Sequence, residues 1–184
     1  MKRLMATLLA AFMLMPVAGA ALSDGTPDKA ARLLEQLKRT DDPLRAQALR
    51  EKLHKAWIAA GPVSAQVLLK EAAQAQAAGL RDTALKLLRL VTRRWPDYAE
   101  GHYRLAFFLW QTGDTRAALE ALDRLLKAQP DHFPALSLKV RLLLESRQEK
   151  KALAACRALT QRFANWREMR RRCERLRWRL EQDV

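Results

Sequence analysis

The chain has 184 residues, and its 34 basic and 20 acidic side chains give a formal net charge of +14 at neutral pH. Leu and Ala together supply 65 residues, whereas the chain has one Ile, six Val and six Gly. This mixture is poor in strand formers, so it argues against a β-rich domain and favours helices almost throughout. Because 49% of the residues are hydrophobic, the chain can bury a core, which argues against global disorder despite the charge.

The first residues have the pattern of a secretory signal peptide. A basic start at Lys2 and Arg3 precedes an apolar run over residues 4–17, and small residues of the kind that a signal peptidase reads follow it. The alternative is an uncleaved membrane anchor, but the run is shorter than the roughly 20 residues that a spanning helix needs, and Pro16 interrupts it. We therefore expect residues 1–20 to be a cleaved signal and the mature protein to be exported.

Residues 21–62 are predicted to form a helical hairpin. Apolar residues recur at helical spacing over residues 28–38 and 44–59, a Thr-Asp-Asp-Pro segment separates these stretches, and Gly61-Pro62 ends the second one. Two arrangements stay open at this stage. The hairpin either caps the array of helices that follows it, or it lies as an arm in the groove of that array.

A period of 34 residues organises the next part of the chain. It predicts three repeats, at about 65–98, 99–132 and 133–166. Small residues would let two helices of a unit approach closely, Gly would end the first helix, and Pro would stop the second. The residues that carry the period are Gly79 and Gly113, Ala84, Ala118 and Ala152, and Pro96 and Pro130.

These residues resemble the tetratricopeptide repeat family, and the middle unit matches that motif best. The resemblance implies an all-α, TPR-like solenoid of helical hairpins over residues 63–166, flanked by the N-terminal helical hairpin and by a C-terminal capping helix. The outer units depart from the pattern. The first has Glu71 where an apolar residue is usual, and the third has Arg147 in the glycine slot and Ala164 in the proline slot.

The resemblance also implies a concave groove lined by the first helix of each unit. Three of the implied positions are aromatic and share one face of a helix, so they would offer anchors to a peptide, while an arginine would meet a carboxylate. The alternative is that the N-terminal hairpin or a neighbouring repeat covers these rings. The implied groove residues are Leu69, Tyr103, Phe107, Trp110, Arg141 and Leu144.

Residues 167–184 are predicted to form the basic capping helix. Its apolar residues recur at helical spacing, and its arginines would attract anionic partners such as lipid head groups or envelope polymers. The alternative is that they only form a solvated face of the helix. The predicted basic patch consists of Arg167, Arg170, Arg171, Arg172, Arg175, Arg177 and Arg179.

Two cysteines lie on helices that are predicted to be neighbours. Cys156 falls on the second helix of the third repeat, and Cys173 falls on the apolar stripe of the capping helix. In an oxidising compartment a disulfide between them would attach the cap to the array. The alternative is a pair of buried thiols, since the sequence does not fix their separation.

The sequence carries none of the patterns of a catalytic or metal site. His54, His102 and His132 fall on different predicted elements, and the chain has no phosphate-binding glycine loop and no zinc motif. We therefore expect no enzymatic activity, no metal and no cofactor.

The resemblance implies a non-enzymatic scaffold that binds a protein or peptide partner in its groove. Its likeness to exported bacterial members of the family implies a place in the periplasm and a role in assembly or organisation of the cell envelope. Two alternatives stay open: an adaptor to an anionic membrane or envelope polymer through the basic patch, and an accessory subunit or assembly factor of an envelope enzyme. Export would exclude nucleic acid as a partner.

Overall fold

The computed structural model describes residues 26–182, so the predicted signal peptide lies outside the described residues. Within this range the chain forms nine α-helices and no strand. The helices are α1 (Thr26–Arg39), α2 (Pro43–Ala59), α3 (Val63–Ala77), α4 (Arg81–Arg94), α5 (Ala99–Gln111), α6 (Thr115–Ala128), α7 (Phe133–Glu145), α8 (Glu149–Arg162) and α9 (Arg167–Gln182). None of the described helices is long and apolar enough to cross a membrane.

Successive helices pack in pairs, α1 with α2, α3 with α4, α5 with α6 and α7 with α8, and α9 packs on α8. The three helices α5, α7 and α9 begin at residues 99, 133 and 167, which are 34 positions apart. Helices α5, α7 and α9 each contact the second helix of the preceding pair, so these pairs stack into one solenoid. The predicted all-α solenoid of helical hairpins is therefore confirmed.

The residue that ends the first helix of each repeat has a left-handed backbone. Gly79 has φ 76°, Gly113 has φ 92° and Arg147 has φ 56°, again at 34-residue intervals. After each of them a backbone N–H reaches back five residues along the chain, as in the 2.8 Å bond from Gln148 N to Leu143 O. The third repeat therefore makes the same turn although an arginine stands in the glycine slot, and it carries strain there that the two glycines do not.

The small and cyclic residues of the repeats lie where the motif needs them. Ala84, Ala118 and Ala152 are fully buried between paired helices, where a larger side chain would push the helices apart. Pro96 and Pro130 follow the ends of α4 and α6, which stop at Arg94 and Ala128. These prolines prevent α4 and α6 from extending further, because proline disrupts the interior of a helix.

The N-terminal hairpin shares its largest apolar cluster with the array. Leu53 and Trp57 of α2 are buried together with Phe133 and Val140 of α7 and with Phe163 at the end of α8. The hairpin has no separate core, so it is held by the solenoid on which it packs.

Polar contacts pin the hairpin to the turns that precede α7 and α9. The Asn165 side chain donates a 2.7 Å hydrogen bond to the carbonyl oxygen of Thr40, in the turn between α1 and α2. Lys38 pairs with Asp131 at 2.9 Å, in the turn before α7. Helix α2 therefore starts near α9 and runs back along the starts of the first helices, which is the arm-like arrangement of the two left open by the sequence.

The far end of α2 is fixed at the turn before α5. Tyr98 donates a 2.7 Å hydrogen bond from its hydroxyl to the carbonyl oxygen of Ile58. The ring of Tyr98 lies so close to Gly61 that a Cβ on residue 61 would collide with it. A glycine is therefore required where the hairpin joins the first repeat.

Candidate functional site

The predicted groove residues all lie on the first helices of the repeats, Leu69 on α3, Tyr103, Phe107 and Trp110 on α5, and Arg141 and Leu144 on α7. The three aromatic rings form a continuous row. The ring centroids of Tyr103 and Phe107 are 6.3 Å apart, and those of Phe107 and Trp110 are 5.4 Å apart. Helix α2 covers one end of this row and leaves the other end open.

At the covered end, α2 seals a polar cluster inside the protein. Glu100 and His132 are only 1% and 0% exposed. Glu100 accepts a 2.5 Å bond from the Arg104 guanidinium, and its other oxygen lies 3.4 Å from His54 Nε2 and 3.9 Å from His132 Nε2. The ring of Trp57 stacks on the ring of His132 with centroids 4.7 Å apart, so α2 covers the cluster on the side of His132.

The charges in this cluster are fixed by their surroundings. Burial lowers the pKa of His132 to about 4, so the ring is neutral at physiological pH. Its Nδ1 accepts a 3.2 Å bond from Ala135 N–H at the start of α7, which leaves its remaining proton on Nε2. Burial alone would raise the pKa of Glu100, but the nearby His54 ring and the charge of Arg104 outweigh that effect and lower the pKa, so Glu100 is ionised.

The contacts of this cluster hold the N-terminal hairpin in place on the groove. It is closed to substrates by Trp57, and its buried His132 uses one ring nitrogen to cap α7. Among the described residues, no group of three or more His, Cys, Asp or Glu side chains is arranged to hold a metal ion. Sequence reasoning missed the cluster because 78 positions separate His54 from His132, and only tertiary packing brings both rings to Glu100.

Tyr103 belongs to the covered end. Its ring lies 5.4 Å from that of His132 and 6.2 Å from that of His54, and burial raises the pKa of its hydroxyl. For Tyr103 the alternative interpretation therefore applies, because the N-terminal hairpin packs against this ring. Tyr103 is a support for the hairpin and is not a free anchor.

The other end of the row is open, and we call it the open groove, defined by Phe107, Trp110, Arg141 and Leu144. The Arg141 guanidinium lies 5.2 Å from the centroid of the Trp110 ring, and the arginine side chain is exposed. Trp110 donates a 2.8 Å hydrogen bond from Nε1 to Glu145. These contacts orient a partly exposed indole and leave the guanidinium donors free to meet a carboxylate.

A second cleft, of about 980 Å³, lies on another face of α7, between α6 and α8. Its floor is apolar, but its rim charges satisfy one another. Lys139 pairs with Asp123 at 2.5 Å, and Arg162 pairs with Asp131 at 3.3 Å. The open groove is the better candidate for recognition because its arginine has no ion-pair partner in the described part of the chain.

The seven arginines of the predicted basic patch differ in their ion pairing. Three of them pair with carboxylates, Arg170 with Glu174, Arg177 with Glu181 and Arg179 with Glu149. The other four have no ion-pair partner within residues 26–182; they are Arg167, Arg171, Arg172 and Arg175.

The two cysteines are bonded to each other. The disulfide joins Cys156 of α8 to Cys173 of α9 with a Cα–Cα distance of 5.5 Å, and both residues are buried. It attaches the last helix covalently to the solenoid.

Comparison with known proteins identifies the family. The tetratricopeptide repeat profile matches residues 75–139 and 109–173, which together span more than half of the chain. The chain therefore belongs to the tetratricopeptide repeat family. Proteins of this family are generally non-enzymatic scaffolds for protein interactions.

Three similar proteins illustrate the relationship. A TPR repeat-containing protein of Rhizobium etli is 29% identical over 124 residues, which cover 67% of this chain and 61% of that protein. The TPR2B domain of yeast Sti1, solved in complex with pHsp70, has a TM-score of 0.56 and 17% identity, and the match covers 67% of this chain and all of that domain. A double mutant of MamA RS-1 has a TM-score of 0.50 and 27% identity over 54% of this chain and 56% of that one. The chain thus spans less than two thirds of the Rhizobium protein and of the MamA chain.

Proposed function

We propose that this protein is an exported, non-enzymatic scaffold that binds a segment of a partner protein in its open groove, in the periplasm, as part of cell-envelope assembly or organisation. The observation that carries the proposal is the exposed arginine stacked on a partly exposed tryptophan, Arg141 on Trp110, beside a groove end that the protein itself has filled. An aromatic ring with an adjacent guanidinium offers both contact area and a partner for carboxylates.

Two features support the export part of the proposal. The apolar start of the chain has the pattern of a signal peptide. The buried disulfide between Cys156 and Cys173 is typical of proteins that fold in an oxidising compartment.

The neighbour solved with pHsp70 supports the partner class. That complex concerns the yeast Sti1 domain, whose whole length matches this chain in fold. We infer by analogy that a polypeptide segment is the ligand here, and the aromatic row of α5 supplies the contact surface for it.

The binding part is tested by affinity capture followed by titration with the purified partner. The double variant Trp110→Ala, Arg141→Ala is compared with Leu90→Ala, a control that removes an exposed apolar side chain from α4 outside the groove. The groove variant should lose at least about tenfold in affinity, because it removes both the aromatic contact and the cation, while the control should match the parent. Equal affinity of all three proteins would refute binding in the groove.

The export part is tested by fusing alkaline phosphatase to the C-terminus of the full chain and of a version without residues 2–20. Alkaline phosphatase acquires its disulfides and activity only outside the cytoplasm. The full-length fusion should be active and the shortened one inactive. An inactive full-length fusion would rule out export.

A further inference from the structure

The last helix keeps the orientation of the first helices before it. Buried positions repeat at 34-residue steps: Ala135 of α7 corresponds to Met169 of α9, and Leu142 corresponds to Leu176, and all four side chains are at most 6% exposed. Helix α9 is therefore rotated about its own axis as α7 is. It occupies the place of the first helix of a fourth repeat.

No second helix follows α9 in the described chain, and charged residues stand where that helix would pack. In α7 the corresponding positions are filled by the buried residues Val140 and Leu143. In α9 they are filled by Glu174 and Arg177, which form the (i, i+4) pairs with Arg170 and Glu181. These charged pairs occupy the face of α9 on which a further helix would pack, so they disfavour further stacking.

The groove face of α9 has a different character. The positions of Tyr103, Phe107 and Trp110 in α5 recur 68 residues later as a row of Arg171, Arg175 and Trp178. In this row both arginines are exposed and lack an ion-pair partner among residues 26–182, and Trp178 is 65% exposed.

The surface therefore changes from aromatic to cationic along the solenoid. Helix α5 presents Phe107 and Trp110, α7 presents Arg141 and Leu144, and α9 presents its two free arginines and Trp178. Neighbouring helices lie roughly 10 Å apart, so the surface from α5 to α9 extends over roughly 20 Å. A polypeptide of about six extended residues spans that distance.

We propose that α9 extends the open groove, and that the groove takes an acidic segment of polypeptide, with an apolar side chain at Phe107 and Trp110 and carboxylates at Arg141, Arg175 and Arg171. The inference rests on the proposed function and names the chemistry of the partner. Guanidinium groups bind carboxylates with paired hydrogen bonds, and none of these three arginines has an ion-pair partner among residues 26–182.

Two arguments favour an acidic polypeptide over a lipid bilayer or a nucleic acid as the partner. A planar bilayer cannot follow a row of side chains that continues into a concave surface bordered by α2. A nucleic acid would have to bring its phosphates past Glu145, whose carboxylate lies beside Trp110 at 2.8 Å from Nε1. An apolar side chain meets no such repulsion at that end.

The test uses a fluorescein-labelled peptide of twelve residues with two leucines near one end and four glutamates near the other, and a matched peptide with glutamines in place of the glutamates. Binding is followed by fluorescence anisotropy. The variant Arg171→Gln, Arg175→Gln is compared with Arg170→Gln, Arg177→Gln, which loses the same formal charge from two arginines of the same helix that are paired with Glu174 and Glu181. Glutamine keeps helix propensity, and circular dichroism checks that both variants stay folded.

The first variant should bind the glutamate peptide about five- to tenfold more weakly than the parent, since it loses two exposed charge-assisted contacts. The second variant should stay within about twofold of the parent, and the glutamine peptide should bind weakly to all three. Equal loss in both variants would show unspecific attraction to charge and overturn the proposal, as would no measurable binding of the glutamate peptide to the parent.

Two further results distinguish a failure of the inference about α9 from a failure of the proposed function. If Trp110→Ala abolishes peptide binding while both arginine variants bind like the parent, the groove binds polypeptide but does not include α9. If Trp110→Ala has no effect, the proposed function itself fails. Stronger competition by phosphatidylglycerol vesicles or by oligothymidylate than by the unlabelled glutamate peptide would overturn the choice of polypeptide.

Discussion

The two ends of the groove are built from the same helices, but the N-terminal hairpin covers one end and leaves the other end open. At the covered end the chain supplies its own occupant, since Trp57 of α2 stacks on His132 and its hairpin shares the apolar cluster of α7 and α8. At the open end Trp110 stays partly exposed, and the exposed side chain of Arg141 lies over its ring. An aromatic residue in a groove position can therefore anchor a partner only where no other part of the protein covers it.

The largest expected effect compares the two tryptophans. Trp57→Ala should lower the free energy of unfolding by about 3–5 kcal/mol, because it leaves a cavity between α2 and α7. Trp110→Ala should lower it by less, about 1–2 kcal/mol, since Trp110 is only partly buried and contacts Phe107, an exposed arginine and one hydrogen-bond acceptor. Urea unfolding followed by circular dichroism measures both, and similar losses would erase the distinction between the ends.

The disulfide should stabilise the cationic side of the groove by a comparable amount. Replacing both Cys156 and Cys173 by serine should reduce the free energy of unfolding by about 3 kcal/mol, because the cross-link closes a loop of 17 residues. Limited proteolysis should then cut first in the arginine-rich helix α9. A loss below about 0.5 kcal/mol would indicate that packing alone holds α9.

The covered end should respond to pH through His132. The unfolded chain takes up this proton near the ordinary pKa of 6.5 and the folded chain only near 4, so protonation favours unfolding. Stability should be fully present above pH 6.5 and should fall by up to about 3 kcal/mol as pH drops to 4. The groups facing His132 are Glu100 and His54, and the loss due to Glu100 begins only below its ordinary pKa of 4.5.

The matched variant for this prediction is His132→Asn. Asparagine can still cap the start of α7, but it does not titrate. Its urea midpoint should be nearly independent of pH between 6.5 and 4.5, whereas that of the parent should decline. An equal decline in both proteins would assign the pH dependence to other groups.

The smallest effect concerns the turn that leads from α7 to α8. Arg147→Gly should raise the free energy of unfolding by about 1 kcal/mol, because Arg147 holds a φ of 56° that glycine adopts without strain. Gly113→Ala, in the equivalent turn at φ 92°, should lower it by about the same amount. Thermal unfolding of both variants provides the measurement, and shifts of the same sign would contradict the equivalence of the two turns.

Much of the fold could be predicted from the sequence because the 34-residue period is local and repeated. The period placed Gly113 at a left-handed turn, and it identified Arg147 as the residue in the corresponding slot. The groove positions were implied by the resemblance to the family, and the structure places them on the first helices α3, α5 and α7.

The covered end could not be predicted because it depends on contacts between distant parts of the chain. The hairpin departs from the period, so nothing in its sequence shows where α2 docks. His54 and Glu100 have no shared pattern, and only the packing of α2 on α5 brings them together. The pairing of Arg179 with Glu149 has the same cause, because those two residues lie on different helices, whereas the pairs of Arg170 with Glu174 and of Arg177 with Glu181 are local to α9.

The central claim is that partners contact the open groove, and site-specific photocrosslinking in cells tests it most directly. Benzoylphenylalanine is placed at positions 110 and 144 of the groove, and at positions 80 and 90 as exposed apolar controls outside it. The account predicts a discrete adduct with one partner from positions 110 and 144 and none from 80 and 90. Adducts of equal yield from all four positions, or from the control positions alone, would contradict it.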